Sequence, residues 1–264
     1  MPSSPFRALS VFAVLFLLPS ASAQETAAAP YSQRLQAMLT QAAADAALLS
    51  SKLPSFVCKE TVVSESLSKG KVKQRADVVA DLTVRRGADG KLAENFSATQ
   101  FNGKPFSGGA VRMPLYVTGG FQHAMTYFSA KLRACYHYTL AGNRIDFEAV
   151  PDAGERTECS HEVGIKGFAL FDADDEMTHT ERRVPEDVAK RFKAAPFAAV
   201  DLAPVTLNGQ TYRLSSRVIA EMPRGKDDGH FEGTYTDCRL FTANITIRPG
   251  STVITEETPN SSPK

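Results

Sequence analysis

The sequence predicts an α+β protein built on one large curved antiparallel sheet, a half-barrel-like layer with a long N-terminal helix and one inserted helix. Three observations lead there. Period-two hydrophobic alternation recurs along much of the chain, tight-turn residues punctuate it, and helical periodicity is confined to a few stretches. Strands and helices do not alternate in the way a parallel sheet requires.

The chain opens with Arg7, an apolar run from Ala8 to Leu18, and the small residues Ala21-Ser22-Ala23 before Gln24. This is the pattern of a secretory signal peptide cleaved after Ala23. The run is about half the roughly 20 apolar residues needed to span a bilayer. No cysteine stands at the cleavage point for lipid attachment. The expected organisation is a signal peptide at 1–23, a disordered leader at 24–29, a single α+β domain at 30–258, and a polar, disordered tail at 259–264.

From Pro30 the apolar residues Leu35, Met38, Leu39, Ala42, Ala46 and Leu49 recur at steps of three and four, which predicts an amphipathic helix ending before Pro54. The period then changes to two. Ala76, Val78, Ala80, Leu82 and Val84 alternate with polar residues at Asp77, Asp81, Thr83 and Arg85, as in a strand with one wet face. Breaks at Lys69-Gly70 and Ala88-Asp89-Gly90 divide this region into strands over 56–68, 71–86 and 91–101. Residues 102–109, with Pro105 and three glycines, read as a loop. After Gly120 the spacing of Phe121, Met125, Phe128 and Leu132 predicts a second helix whose apolar face covers the sheet.

Hairpin turns follow at Gly142-Asn143, between strands at 135–140 and 144–150, and at Asn208-Gly209, between 205–207 and 210–215. A third hairpin uses Asp172 to Asp175 to turn 167–171 back along 176–184. A short helix is expected from Pro185 to Lys193. The last long strand is expected from Tyr235 to Arg248, where Phe241, Ala243, Ile245 and Ile247 alternate with polar residues.

The cysteines Cys58, Cys135, Cys159 and Cys238 are even in number and follow an export signal, which reads as two disulfides. Four cysteines allow three connectivities. The favoured one closes Cys135 with Cys159 across a hairpin-like stretch and leaves Cys58 with Cys238 to join the two ends of the fold. No CxxC pair is present, which argues against a zinc site and against thioredoxin-like redox chemistry. With Arg7 removed, acidic and basic side chains are equal in number, so nucleic acid is not an expected partner.

No GxSxG elbow, HExxH, P-loop or strand-following GxGxxG is present. The histidines His123, His137, His161, His179 and His230 are scattered, and only His137 and His161, flanking one proposed disulfide, could meet as a pair. The acidic run Asp172, Asp174, Asp175 and Glu176 has the density of a calcium loop. It lacks the glycine and terminal glutamate of an EF-hand, so a solvated turn is expected. The pairs Arg85-Arg86 and Arg182-Arg183 end strands and read as edge protection that needs no ligand. No catalytic residue, metal or cofactor is predicted. The candidate lining of an apolar cavity is Phe121, Met125, Phe128 and Leu132 together with Phe168 and Phe241, in a chain with 16 Phe and no Trp, a composition that suits an aromatic-rich interior, filled or hollow.

The run Leu53 to Thr61 (LPSFVCKET), the run Tyr235 to Ile247 (YTDCRLFTANITI) and, between them, Gly167 to Phe171 (GFALF) resemble a group of uncharacterised secreted proteins of acidobacteria. The order of elements, with a leading helix, a Leu-x-Ser-Phe entry into the first strand at Leu53 to Phe56 and a long antiparallel meander, resembles the LolA and RseB lipoprotein-carrier superfamily. That resemblance implies a curved half-barrel around helices that cover an apolar, lipid-binding cavity. No functional residue is carried over from either group.

The expected function is that of an exported, non-catalytic binding protein for a lipid or other apolar ligand in the cell envelope, periplasmic or secreted. An envelope protein-protein interaction or structural module is the alternative. An uncharacterised secreted hydrolase is the third reading.

Overall fold

The computed structural model describes residues 29–121, 123–192, 194–224 and 226–241. The expected signal peptide, the leader up to residue 28, the end of the last expected strand at 242–248 and the tail at 259–264 lie outside the described residues. Helix α1 (Ala29–Lys52) leads into β1 (Phe56–Ser68), β2 (Lys71–Arg86), β3 (Leu92–Phe101) and the two-residue β4 (Lys104–Pro105). A long irregular segment follows. Then come β5 (Tyr136–Ala141), β6 (Arg144–Ala149), β7 (Lys166–Phe171), β8 (Met177–Arg183), helix α2 (Glu186–Phe192), β9 (Phe197–Leu207), β10 (Gln210–Arg224) and β11 (Asp227–Leu240).

The strands form one antiparallel sheet in the order β4-β3-β2-β1-β11-β10-β9-β8-β7-β6-β5. Every neighbour is also a neighbour in sequence except β1 and β11, so two meanders meet where the first strand pairs with the last. The Cys58–Cys238 disulfide crosses that seam, and a second disulfide joins Cys135 to Cys159. The sheet is open, with β4 and β5 as its edges. Along β1 the residues Phe56, Cys58, Glu60, Val62 and Ser64 face the core, and along β2 Ala76, Val78, Ala80, Leu82 and Val84 do so.

Helix α1 buries the stripe Met38, Leu39, Ala42, Ala46 and Leu49, as its periodicity predicts, and packs toward β10 and β5. Its C-terminal carbonyls, which have no partner within the helix, are taken up by the sheet. The Arg86 guanidinium donates to the carbonyl oxygens of Leu49 at 3.1 Å, Ser50 at 2.8 Å and Leu53 at 2.8 Å. The Tyr212 hydroxyl donates to Lys52 O at 3.0 Å. A cation at a helix C-terminus also complements the helix dipole.

The sheet order explains the irregular segment. Its two ends, β4 and β5, are the opposite edges of the eleven-stranded sheet, so the chain between them must cross the whole core face. At about 4.8 Å per strand the crossing is on the order of 50 Å if the sheet were flat. We call residues 106–125 the strap. The helix expected over Phe121 to Leu132 is replaced by two 3-10 turns, Thr126–Phe128 and Arg133–Cys135, broken at Ser129, whose backbone is extended. A 3-10 turn rises about 2.0 Å per residue against 1.5 Å in an α-helix, which suits a segment that must cover distance. The inserted helix of the fold is α2.

The last strand also differs from expectation, since β11 starts at Asp227. Its core-facing positions are Gly229, Phe231, Gly233 and Tyr235, and the two glycines conceal the alternation. Likewise β9 and β10 are longer than the hairpin read around Asn208-Gly209. The arginine pairs lie on β2 and β8, which are interior strands, so edge protection is not their role. Arg86 holds α1, Arg85 lies over the Phe241 ring at 4.7 Å and Arg183 over Phe197 at 4.9 Å.

Candidate functional site

Strand register assembles the site. Core-facing neighbours run across the sheet as Val62, Gly233, Val218, Val200 and Thr180, and in the next row as Ser64, Phe231, Ala220, Ala198 and Arg182. Toward β1 these rows are covered by the strap. Toward β8 the strap stands away from small side chains at Ala198 and Val200, and a groove of about 200 Å³ opens between them. Val117, Ala124, Tyr127, Val200 and Val218 give it apolar walls, while Thr118, His123, Thr180 and Arg182 contribute polar side chains. A second recess of about 220 Å³ shares His123, Tyr127 and Arg182 with it and extends past His161, Val188 and Phe192. Together they reach the size of a small-ligand site.

Two polar groups in the groove are not used up by the fold. Thr180 is 4% exposed and its Oγ1 has no hydrogen-bond partner among the described residues. Arg182 is half-buried and donates from Nη1 to Ala195 O at 2.9 Å, and among the described residues no carboxylate forms an ion pair with it.

Beneath the strap the chemistry is different. Glu60 is 0% exposed, and among the described residues neither carboxyl oxygen finds a hydrogen-bond partner. Burial pushes its carboxyl up to about 8, opposed in part by the Tyr235 hydroxyl and reinforced by Glu94. Tyr235 is the direct cross-strand neighbour of Glu60, yet its hydroxyl completes no aligned hydrogen bond. Burial likewise raises Glu94, whose Oε2 accepts the Gly119 N–H at 2.8 Å and so ties the strap to β3. Ser64 makes the second tie: its hydroxyl donates to Leu115 O at 2.6 Å and accepts from Leu115 N at 2.8 Å. Phe121 closes the region edge-on to Phe56 and Tyr235, each at 5.1 Å. Its ring lies so near Gly119 that a Cβ there would come within 2.4 Å. Gly233 is similarly overhung by Phe231 and Tyr235, at 3.0 and 2.9 Å from a built Cβ.

The residues expected to line a cavity divide. Phe121, Met125, Phe128 and Leu132 come together on the core face, but they are buried in packed contacts, and none lines the groove. Phe168 is on the opposite, outer face, between the Arg144 guanidinium at 3.9 Å and the His179 ring at 5.6 Å. It lines a recess of about 360 Å³ there whose walls include Arg144, Asp146, Glu148, Lys166 and Glu181. Phe241 is apart from all of these, beneath Arg85.

His137 lines the outer recess and His161 the inner one, so they do not pair. The acidic turn is tied into the fold by two arginines. Arg213 Nη2 pairs with Asp172 at 2.9 Å and also with Glu176, and Arg34 pairs with Asp175 at 2.8 Å. Asp172 is held below the usual carboxylate range, chiefly by the Glu176 backbone N–H. Glu60, Thr180 and Arg182 were missed as site residues. For Glu60 the signal was legible, a carboxylate in a core-facing slot of an otherwise apolar alternation.

The architecture is that of an open antiparallel half-barrel whose core face is covered by a helix and a strap. No protein-family model matches the chain, and no curated protein matches it. Among solved structures it is similar to a LolA superfamily protein from Nitrosomonas europaea, at 8% identity over 78% of this chain and 94% of that one, TM-score 0.32. It is also similar to a DUF1329 family protein from Desulfovibrio piger, at 12% identity over 78% and 92%, TM-score 0.37. A domain described as an outer membrane lipoprotein-sorting protein, from Vibrio parahaemolyticus, aligns at 12% identity over 78% and 93%, TM-score 0.33.

Proposed function

We propose that this protein is an exported, non-catalytic binding protein that holds a lipid, an acyl chain or another apolar ligand in the groove between the strap and β8–β10. The observation that carries this reading is the groove itself, an apolar-walled opening on the core face at the place where small side chains and the strap part company. An apolar recess open to water on an otherwise filled core favours an apolar occupant, because covering its walls removes hydrocarbon from solvent. The two disulfides support a place outside the cytoplasm, in the periplasm or beyond. Among the described residues no helix is long and apolar enough to cross a membrane.

The test is native mass spectrometry of the mature, oxidised chain with extraction of whatever accompanies it, beside titration with N-phenyl-1-naphthylamine. A stoichiometric apolar adduct, or probe binding abolished by Val218→Phe at unchanged thermal stability, is the expected result. A bare chain that binds no probe, or binds it equally well with Val218→Phe, overturns the reading.

A further inference from the structure

The groove is not uniformly apolar, and two of its polar side chains stand together on the sheet wall, facing Thr118 and His123 of the strap. Arg182 and Thr180 stand two residues apart on the same face of β8, opposite Ala198 and Val200. Thr180 is buried with an unused hydroxyl. A buried hydroxyl left unsatisfied is costly to the fold, and this one faces an open groove where a ligand atom can complete it. Arg182 has five N–H donors, of which one is seen to be used, by Ala195 O. Guanidinium groups taken partly out of water are ordinarily paired with anions. Of the groups lining the two recesses, His123, His161 and Arg182 are neutral or cationic. The one carboxylate, Glu162, already accepts the Tyr136 hydroxyl.

Resting on the groove reading above, we infer that the ligand is an anionic amphiphile: a carboxylate or phosphate monoester head received by the Arg182 guanidinium and the Thr180 hydroxyl, with its alkyl chain laid along Val117, Ala124, Val200 and Val218. The arrangement separates chain from head. The apolar walls take any hydrocarbon, whereas the guanidinium discriminates by charge and the hydroxyl supplies a second donor to the same anion. A neutral alcohol of the same chain length fits the walls and leaves Arg182 without an anion. A cationic amphiphile is repelled.

Isothermal titration of the mature, disulfide-bonded chain with decanoate, decyl phosphate, decanol and decyltrimethylammonium at pH 7.5 tests this. One of the two anions binding about tenfold or more tightly than decanol is expected, since hydrogen bonds to charged groups are among the strong ones. The tighter of the two identifies the head. In Arg182→Gln the anion preference should fall to within roughly twofold of decanol, and Arg182→Lys should restore part of it. Thr180→Val, which removes the buried hydroxyl without changing its shape, guards against misfolding of the arginine variants. It should weaken anion binding several-fold with no loss of thermal stability. Equal binding of anion and alcohol by the unmodified chain overturns the head-group inference and leaves the groove reading standing. Absence of binding by all four overturns both.

Discussion

The core face is covered in two ways that differ in chemistry. Helix α1 presents an apolar stripe, and its exposed carbonyls are taken up by Arg86 and Tyr212, so that half closes over with polar contacts made at the C-terminal end of the helix. The strap has no regular structure of its own and is held by side chains, Ser64 to Leu115 and Glu94 to Gly119. It lies over a buried carboxyl and tyrosine with unsatisfied oxygens, and beside it the groove opens. A helix satisfies its own backbone and can press a continuous apolar surface onto a sheet. An irregular segment has to find partners for each N–H and C=O, so polar atoms enter the core with it. The half that is costly to build is the half that has room for a ligand.

That contrast can be broken experimentally, starting with the covalent seam both halves share. Replacing Cys58 and Cys238 together by alanine should cost about 5 kcal/mol in the chain-entropy model, against about 3–4 kcal/mol for the Cys135 and Cys159 pair, because the closed loops span 180 and 24 residues. Urea unfolding of the two double variants checks the order.

The next largest effect is a pH dependence belonging to the strap side. Glu60 has a folded value of about 8 against an ordinary 4.5. Between those limits the folded chain holds a proton that the unfolded chain has lost, so stability falls as pH rises across that window and levels off beyond it. The full change is roughly 5 kcal/mol at one pKa unit per 1.4 kcal/mol. Glu60→Gln should abolish that slope and leave a protein more stable than the parent at pH 8.5, by thermal melts at several pH values. An unchanged slope would place the titrating group elsewhere.

On the helix side Leu49→Ala should cost about 3 kcal/mol with no pH dependence, since it empties a packed apolar position. The smallest effect is expected of Ser64→Ala, about 1–2 kcal/mol. Its sharper readout is amide hydrogen exchange. Leu115 and its neighbours should exchange faster while α1 amides keep their protection, a local opening of the strap alone.

Much of the fold was legible because its signals are local. The bounds of β1 and β2 follow from an alternation that ends at Lys69-Gly70 and at the arginines, and α1 follows from its three-and-four spacing. Signals were lost where one residue type hid a pattern, as at Gly229 and Gly233 in β11. They also misled where burial and conformation part, since Phe121, Met125, Phe128 and Leu132 are all buried without being an α-helix. Four of the residues expected to line a cavity pack the core instead, for a related reason. Large aromatic residues fill space, and the groove is found where the sheet carries alanine and valine.

The α+β class, the antiparallel meander, the leading helix and the turns are written in the amino-acid sequence, since hydrophobic period and turn chemistry act over a few residues. Tertiary structure alone decided that β1 pairs with β11, that the β4-to-β5 connection therefore crosses the core face, and that Arg182 and Thr180 look into a groove while Glu60 is sealed. Those facts depend on which strands end as edges and on side chains brought together from distant parts of the chain, and no local pattern in the sequence records that meeting.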